Sequence, residues 1–301
     1  MSAAVALSSS EARPALLRRR ARTSSGGPRV DWRLAAPLGL AYLVFFAAPF
    51  AILFGISFYA DAEQTRFGLD SWTKFYGDAF YLKVVFDTLK LGIFAVLATT
   101  VLAYPLALVF RQAGHRARQV LVFIILTPLL TSVVIRTFAW IVILAREGVV
   151  NQSLMALGLT STPLNLLQTE LGLVIALTQI EMPLMLLPLL TLMSRMDQNL
   201  VDGSRALGAS QARTFFKVIL PLTLPGWIAG STLVFASAAT AFISQSVIGG
   251  ARLVYLPALI WQQSTVVYNW PFAAVASLTL LFTVLAGIMV LGLLGRFSRT
   301  D

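Results

Sequence analysis

The sequence predicts an all-α polytopic membrane protein with six transmembrane helices. Of its 301 residues, 57% are hydrophobic and 12% are charged, and the mean hydropathy is +0.80. A soluble domain carries about 25% charged residues. Six apolar stretches each reach the roughly 20 residues that a helix needs to cross a bilayer. None of them alternates in the way of a barrel strand, and a backbone in lipid must satisfy its own hydrogen bonds, so helices are expected.

The predicted spans follow one another along most of the chain. They cover Leu34–Phe58, Leu91–Phe110, Val120–Ala145, Leu171–Ser194, Leu224–Ile248 and Phe272–Gly295. Prolines fall inside several of these stretches, at Pro49, Pro105, Pro128, Pro183 and Pro188. Membrane helices tolerate proline, and each is expected to mark a kink that shapes the packing of its helix.

Basic residues predict the orientation in the membrane. Most of the 23 Lys and Arg residues lie in the N-terminal tail, in the loops after the second and fourth spans, and at the C-terminus. Cytoplasmic loops carry such an excess, so both termini are predicted to be cytoplasmic. Residues 1–33 are predicted to be a disordered basic tail, and residues 34–301 the transmembrane domain. The net charge of +10 therefore indicates orientation rather than a nucleic-acid partner.

Several chemistries are excluded by the residues that the chain lacks. It has no cysteine and a single histidine, His115, so disulfides, thiolate metal sites and a His-rich metal centre are excluded. No Gly-x-x-x-x-Gly-Lys-Ser/Thr loop for nucleotide phosphates occurs. No nucleophile–base pair stands out either. The sequence predicts neither an enzyme nor a bound cofactor or metal in this chain.

The loop between the fourth and fifth spans predicts two short helices at the membrane surface. Asp197–Leu207 has helical spacing, and Gly208 follows where a helix end favours a left-handed residue. Ser210 is placed to cap a second helix, Gln211–Val218. Two further residues, Pro221 and Pro225, are expected to end the segment and stop the helix before the next span.

The same loop has side chains suited to contact another surface. Phe215, Phe216 and Ile219 would present apolar bulk, while Arg213 and Lys217 face water or an anionic partner. One interpretation is a docking segment for a soluble partner. The alternative is an amphipathic linker that rests on lipid headgroups.

This segment resembles the EAA loop of binding-protein-dependent ABC importer permeases, the type I importers with a MetI-like architecture. In that loop an acid-Ala-Ala triplet is followed four residues later by a glycine, and the loop ends with Ile-x-Leu-Pro. Here the matching residues are Asp202-Gly203-Ser204, Gly208 and Val218-Ile219-Leu220-Pro221. The triplet keeps the acid and the small size, and Val218 replaces Ile. The resemblance implies a coupling loop at about residues 197–222 that docks on a cytoplasmic ATPase.

Further motifs resemble the spermidine/putrescine subfamily of these permeases. They are Ile135–Trp140, Leu207-Gly208-Ala209-Ser210, Leu220-Pro221-Leu222 and Asn269-Trp270-Pro271. The resemblance implies uptake of a small polar solute, with a polyamine first and an opine or an aminophosphonate as alternatives. A more remote alternative is an ion-coupled secondary transporter.

The resemblance also implies an assembly in a bacterial inner membrane. The expected partners are a second, related permease chain, two ATPase subunits that bind ATP and Mg, and a periplasmic substrate-binding protein. The termini and the coupling loop would face the cytoplasm.

Polar residues within the spans predict a solute path. Ser132, Arg136 and Trp140 are spaced i, i+4, i+8 on the third span, and Thr178 and Glu181 are three residues apart on the fourth. A third stripe on the fifth span comprises Ser237, Thr240 and Ser244, with Gln245 beside it. Intramembrane charges usually face a bundle interior.

Within that path, Glu181 would offer a carboxylate to an ammonium group and Trp140 a cation–π face. Two alternatives stay open: Arg136 and Glu181 pair with each other, or the hydroxyl groups only join helices.

Two regions on the predicted outer side have structural and functional interpretations. Asp87 and Lys90 are expected to be flanking charges that reach the interface. The aromatic-rich loops Tyr59–Val84 and Gly249–Trp270 are typical of an interfacial belt, and the alternative is a docking surface for a binding protein.

Overall fold

The computed structural model describes residues 32–297, which are dominated by helices and contain no β-strand beyond an isolated antiparallel bridge between Tyr59 and Phe67. In chain order the helices are α1 (Trp32–Ile56), α2 (Asp70–Gly77), α3 (Ala79–Gln112), α4 (His115–Leu126), α5 (Val133–Leu144), α6 (Val149–Ala156), α7 (Glu170–Arg195), α8 (Gln198–Ala206), α9 (Gln211–Thr214), α10 (Leu220–Ala239), α11 (Phe242–Gly249), α12 (Leu256–Trp261) and α13 (Trp270–Phe297). Short 3₁₀ turns occupy Thr127–Leu130 and Gly250–Arg252, and π turns occupy Phe215–Ile219 and Gln262–Val266.

The helices confirm the predicted membrane architecture. Five of them in the described part are long and apolar enough to cross a bilayer: Ala36–Ile56, Ala79–Gln112, Glu170–Arg195, Gln211–Ala239 and Trp270–Leu293. The number rises to as many as seven if each of two sharply bent helix pairs also counts as a span. The six predicted spans lie within this range.

The helix of the first span, α1, is exposed along the part that belongs to the first of two compact units. The predicted tail lies outside the described residues, except that Trp32 and Arg33 already belong to α1. The chain divides after Ala48 into two compact units. In the first unit the apolar side chains from Leu38 to Phe46 are exposed, as expected of a helix that faces lipid or another chain.

The prediction that the third span is a single helix is wrong. After α4 the chain makes the 3₁₀ turn containing Pro128, becomes extended at Thr131 and re-forms as α5. The segments His115–Leu130 and Val133–Ala156 differ in direction by 100°. Proline removes a backbone donor and crowds the preceding turn. The Thr131 hydroxyl donates to the Pro128 carbonyl at 2.8 Å, so the break leaves that carbonyl satisfied.

The fifth predicted span is also broken. The helix α10 ends at Ala239, and Ala241, with ψ +61°, turns the chain before α11. The side-chain amide nitrogen of Gln245, Nε2, donates to the carbonyls of Ala238 and Ala239 at 2.8 and 3.3 Å. The buried carbonyls that the helix end frees therefore have a side-chain partner.

The expectation that prolines separate the surface segment from the next span is wrong. The helical path is continuous from Gln211 to Ala239. A π turn precedes Pro221, in which the Leu220 amide donates to the Phe215 carbonyl five residues back. This wider turn accommodates the proline, which cannot donate and would crowd a regular α-helical turn.

The centre of the bundle is formed by α3, α7 and α10, with α13 against α10. Glycines allow α10 to approach α7 closely: a Cβ added at Gly226 would lie 2.9 Å from the Pro188 carbonyl oxygen, and one at Gly230 would lie 2.9 Å from that of Met185. These two glycines are four residues apart on one helix face. Small residues at this spacing are typical of membrane helices whose backbones nearly touch.

Candidate coupling surface and solute path

The surface segment between α7 and α10 has the predicted helix–turn–helix geometry. Gly208 is left-handed, with φ +80°, and its amide donates to the Arg205 carbonyl at 2.9 Å. The Ser210 hydroxyl accepts from the Arg213 amide at 3.3 Å, so it caps α9 as predicted. Asp197 caps α8 in the same way, by accepting from the Asn199 amide at 2.9 Å.

The two short helices are joined to each other beneath an exposed outer face. The hydroxyls of Ser204 and Thr214 are 3.0 Å apart. Leu207 is 90% exposed and Phe216 is exposed as well. An open cavity of about 680 Å³ lies between α8 on one side and α9 with its following π turn on the other. Its lining includes Gly203, Ala209, Arg213 and Lys217. We call this face the coupling surface; Asp202 and Ser210 are also exposed on this segment.

Two of the predicted surface aromatic and aliphatic side chains point inward instead. Ile219 is buried, and Phe215 is half-buried with its ring edge-on to Tyr104 of α3 at 5.6 Å between centroids. The prediction that Phe215 and Ile219 present apolar bulk outside is therefore wrong, because the π turn directs them into the bundle. Phe216 remains outside as predicted, and Pro221 is exposed in the first turn of α10.

Further contacts connect the coupling surface to the bundle. The Tyr104 and Thr223 hydroxyls are 3.2 Å apart, which joins α3 to α10. Arg111, at the end of α3, donates to the Gln198 side-chain oxygen of α8 at 2.7 Å. The surface segment is thus in direct side-chain contact with α3, and α3 in turn with α10. Sequence reasoning missed Tyr104 and Arg111, although a Tyr inside an apolar span is a usable signal.

A second group of polar side chains lies within the bundle, where α7 packs against α5 and against α10. Glu181 is 4% exposed and interacts with the Ser237 hydroxyl, with the Arg136 guanidinium at longer range. Arg136 donates to the Ile180 carbonyl at 3.1 Å. The Trp140 indole donates to the Gln179 side-chain oxygen at 3.1 Å. We call these five side chains, Arg136, Trp140, Gln179, Glu181 and Ser237, the central polar cluster.

One alternative from the sequence was that Arg136 and Glu181 pair with each other, and the structure does not favour it. Among the residues whose side chains the structure describes, these two form no salt bridge. The Arg136 Nε is buried without a hydrogen-bond partner. A buried charge is costly unless it is paired and hydrogen-bonded. Both groups therefore retain bonding capacity for a further polar group in the bundle.

The remaining predicted path residues lie in helix contacts or at helix breaks. Ser244 is buried, with its hydroxyl 3.0 Å from that of Thr137, and Gln245 caps α10 as described above. Thr178 is buried and donates to the Val174 carbonyl of its own helix at 2.6 Å. Ser132 and Thr240 are exposed at the two breaks. The structure thus brings Glu181 together with Ser237 and Arg136 and places Trp140 against Gln179 on the helix of Glu181. The other five predicted residues lie outside these contacts.

The charged residues in the first half of α3 form ion pairs in addition to their predicted position near the membrane interface. The Lys90 ammonium lies 2.7 Å from the Glu170 carboxylate at the start of α7. Lys83 and Asp87 form an ion pair one helical turn apart. The predicted outer loops contain the short helices α2 and α12.

A bundle of spans with a polar centre, connected through side-chain contacts to a surface helix pair, defines a membrane transport subunit. Residues 100–299 match the family described as the binding-protein-dependent transport system inner membrane component. The chain belongs to this family, as the EAA-like segment predicted. It is therefore a multi-pass inner-membrane transport component rather than an enzyme.

Known proteins similar to the chain agree with this assignment. It is 34% identical over 257 residues to the spermidine/putrescine transport system permease protein PotB of Escherichia coli (strain K12), covering 84% of this chain and 92% of that protein. It is 29% identical over 262 residues to PotB of Haemophilus influenzae, covering 86% and 91%. Its fold is similar to that of a chain in the crystal structure of a bacterial alginate ABC transporter in complex with alginate pentasaccharide-bound periplasmic protein, with a TM-score of 0.72, 17% identity, and coverage of 90% and 96%.

Proposed function

We propose that this chain is the transmembrane permease subunit of an ATP-driven importer for putrescine and spermidine. The observation that carries the proposal is the 34% identity to a spermidine/putrescine permease along nearly the whole of both chains. Opines and aminophosphonates are the alternative solutes.

The chemistry of the central polar cluster supports a cationic solute. Glu181 is buried, and the structure gives its carboxylate no cation in direct contact. An alkylammonium group would supply that missing positive charge and donate hydrogen bonds to the carboxylate. The indole of Trp140 adds an aromatic face, to which an ammonium is attracted. In this proposal Glu181 and Ser237 bind an ammonium group, and Trp140 orients the chain of the solute.

The proposed assembly places the energy source outside this chain. A second, related permease completes the path, two cytoplasmic ATPases bind ATP and Mg, and a periplasmic binding protein delivers the solute. The N- and C-termini and the coupling surface face the cytoplasm in this arrangement, in agreement with the distribution of basic residues.

In the proposed mechanism, closure of the ATPases moves α8 and α9. Contacts of Phe215 with Tyr104, and of Tyr104 with Thr223, transmit this movement to α3 and α10. Because Ser237 lies near the far end of α10, a shift of that helix changes its position relative to Glu181 of α7. A transition of this kind requires that ATP favours one packing of the helices over the other.

The test is uptake of labelled putrescine and spermidine by cells that express the whole transporter, compared with cells that lack only this chain. Uptake that requires the chain is the expected result. If uptake is the same without it, polyamines are not the solute, and the same pair of strains then tests labelled opines and aminophosphonates.

A further inference from the structure

A polar pocket of about 230 Å³ lies at the end of the bundle where α3 and α7 begin. Its walls come from α3, from the start of α7 and from the link between α11 and α12. The charged and hydroxyl-bearing residues that line it are Lys83, Asp87, Lys90, Glu170, Arg252 and Tyr255. The pocket is separate from the central polar cluster and from the coupling surface.

The charges of this pocket do not balance. Lys83 pairs with Asp87 at 2.5 Å, and Lys90 pairs with Glu170 at 2.7 Å. Arg252 is exposed and, within the part of the chain that the structure describes, its guanidinium takes part in no ion pair or side-chain hydrogen bond. The pocket therefore holds one positive charge that its own acids do not neutralise.

The backbone around Arg252 is held in a defined shape. Gly250 is left-handed, with φ +61°, and a Cβ there would lie 3.0 Å from the Gln168 side chain. Gln168 is itself left-handed, and its amide donates to the Ile248 carbonyl at 2.9 Å. The Thr88 hydroxyl accepts from the Leu256 amide at 3.0 Å, which attaches α12 to α3. Arg252 is thus presented on a fixed turn, which lowers the cost of ordering a binding site.

We propose that this pocket receives an Asp or Glu side chain of the periplasmic binding protein, with Arg252 as the group that pairs with it. The proposal rests on the proposed function, because it takes the binding protein as the partner and the predicted topology as the orientation. A guanidinium matches a carboxylate with two parallel hydrogen bonds. An ammonium solute fits less well, because the excess charge of the pocket repels it.

The experiment measures binding of the periplasmic binding protein to the complete transporter in nanodiscs made only of phosphatidylcholine. A neutral lipid removes anionic headgroups as a source of any effect. Arg252→Glu is expected to weaken binding by about tenfold or more at low salt, because it places like charges opposite each other. Wild-type binding is expected to weaken with added salt more steeply than binding of Arg252→Gln.

Arg146→Glu is the matched control, since it makes the same charge change at an exposed residue between α5 and α6, outside the pocket. It is expected to change binding less than about twofold. The chain has no cysteine, so Arg252→Cys also gives a single thiol for cross-linking to the binding protein. A cross-link from that position, and none from Arg146→Cys, is expected.

Equal binding by wild type and Arg252→Glu would overturn the proposal, as would equal losses in the Arg252 and Arg146 variants. Uptake of labelled putrescine by the same wild-type transporter is measured in parallel. If that uptake fails while Arg252→Glu still weakens binding, the polyamine assignment is wrong and the docking pocket stands. If uptake succeeds while binding is insensitive to Arg252, only the pocket is wrong.

Discussion

Replacing Gly208 by proline should uncouple ATP hydrolysis from uptake. Gly208 has φ +80°, whereas proline fixes φ near −65°, so the turn between α8 and α9 cannot keep its shape. The substitution also removes the amide that donates to the Arg205 carbonyl at 2.9 Å. No atom lies within 4 Å of a Cβ at this position, so the change leaves the packing of the bundle intact.

The size of the effect follows from these two losses. A net hydrogen bond contributes about 1 kcal/mol, and a left-handed conformation costs a non-glycine residue about 1–2 kcal/mol. The native turn is then disfavoured by at least about 2–3 kcal/mol, which corresponds to about 30- to 150-fold in its population. Gly208→Ala keeps the amide and should show only the conformational part of the effect, about 1–2 kcal/mol.

The assay is the number of solute molecules imported per ATP hydrolysed by the complete transporter in proteoliposomes. Gly158→Pro is the matched control, because Gly158 also has a positive φ, also has open space around it, and also donates its amide to a carbonyl three residues back, at 3.0 Å. We expect Gly208→Pro to hydrolyse ATP with little import, and Gly158→Pro to stay coupled. Normal coupling in Gly208→Pro, or an equal defect in both variants, would refute the reasoning.

Two further predictions concern the solute path and the packing of the bundle. Glu181→Gln should raise KM for putrescine about tenfold or more, because a hydrogen bond to a charged group contributes about 1.5–3 kcal/mol. The exposed control Glu63→Gln should leave KM unchanged. An unchanged KM in both variants would show that Glu181 does not recognise the solute. Gly230→Ala should lower the melting temperature of the purified protein through a loss of about 1–3 kcal/mol, because the new methyl would lie 2.9 Å from the Met185 carbonyl oxygen of the facing helix. The control Gly292→Ala has open space, and equal melting temperatures for both variants would contradict close contact between α7 and α10.

Turns and helix caps could be predicted from the sequence where a single residue type determines the local backbone geometry. Gly208 predicted a left-handed turn and Ser210 predicted a helix cap, and both are present. Glu181 was found because a carboxylate within an apolar span is costly unless it has a purpose or a partner. Its buried position beside Ser237 agrees with that reasoning.

The breaks in the helices were not readable, because hydropathy is the same on both sides of each break. Residues 120–145 and 224–248 are each mostly apolar and long enough for a span, so length and composition predict one span for each. What allows the break after Ala239 is a side chain further along, Gln245, which satisfies the freed carbonyls. Whether such a partner is within reach is decided by tertiary structure.

The pocket around Arg252 was missed for a related reason. Lys90 and Glu170 are 80 residues apart and come together only when α3 packs beside α7. In the sequence each was an ordinary charge at the end of a span. Pairing these charges leaves Arg252 without a counter-ion among residues 36–293.

The central claim is that this chain carries a polyamine across the membrane on energy supplied by separate ATPase subunits. The most direct measurement is accumulation of labelled putrescine in proteoliposomes that contain the permease pair and the ATPases, with the binding protein on the solute-accepting side and ATP on the ATPase side. We expect accumulation that stops when ATP, the ATPases or the binding protein is omitted, and that is insensitive to collapse of ion gradients. Accumulation without the ATPases that follows an imposed ion gradient would contradict it and identify a secondary transporter.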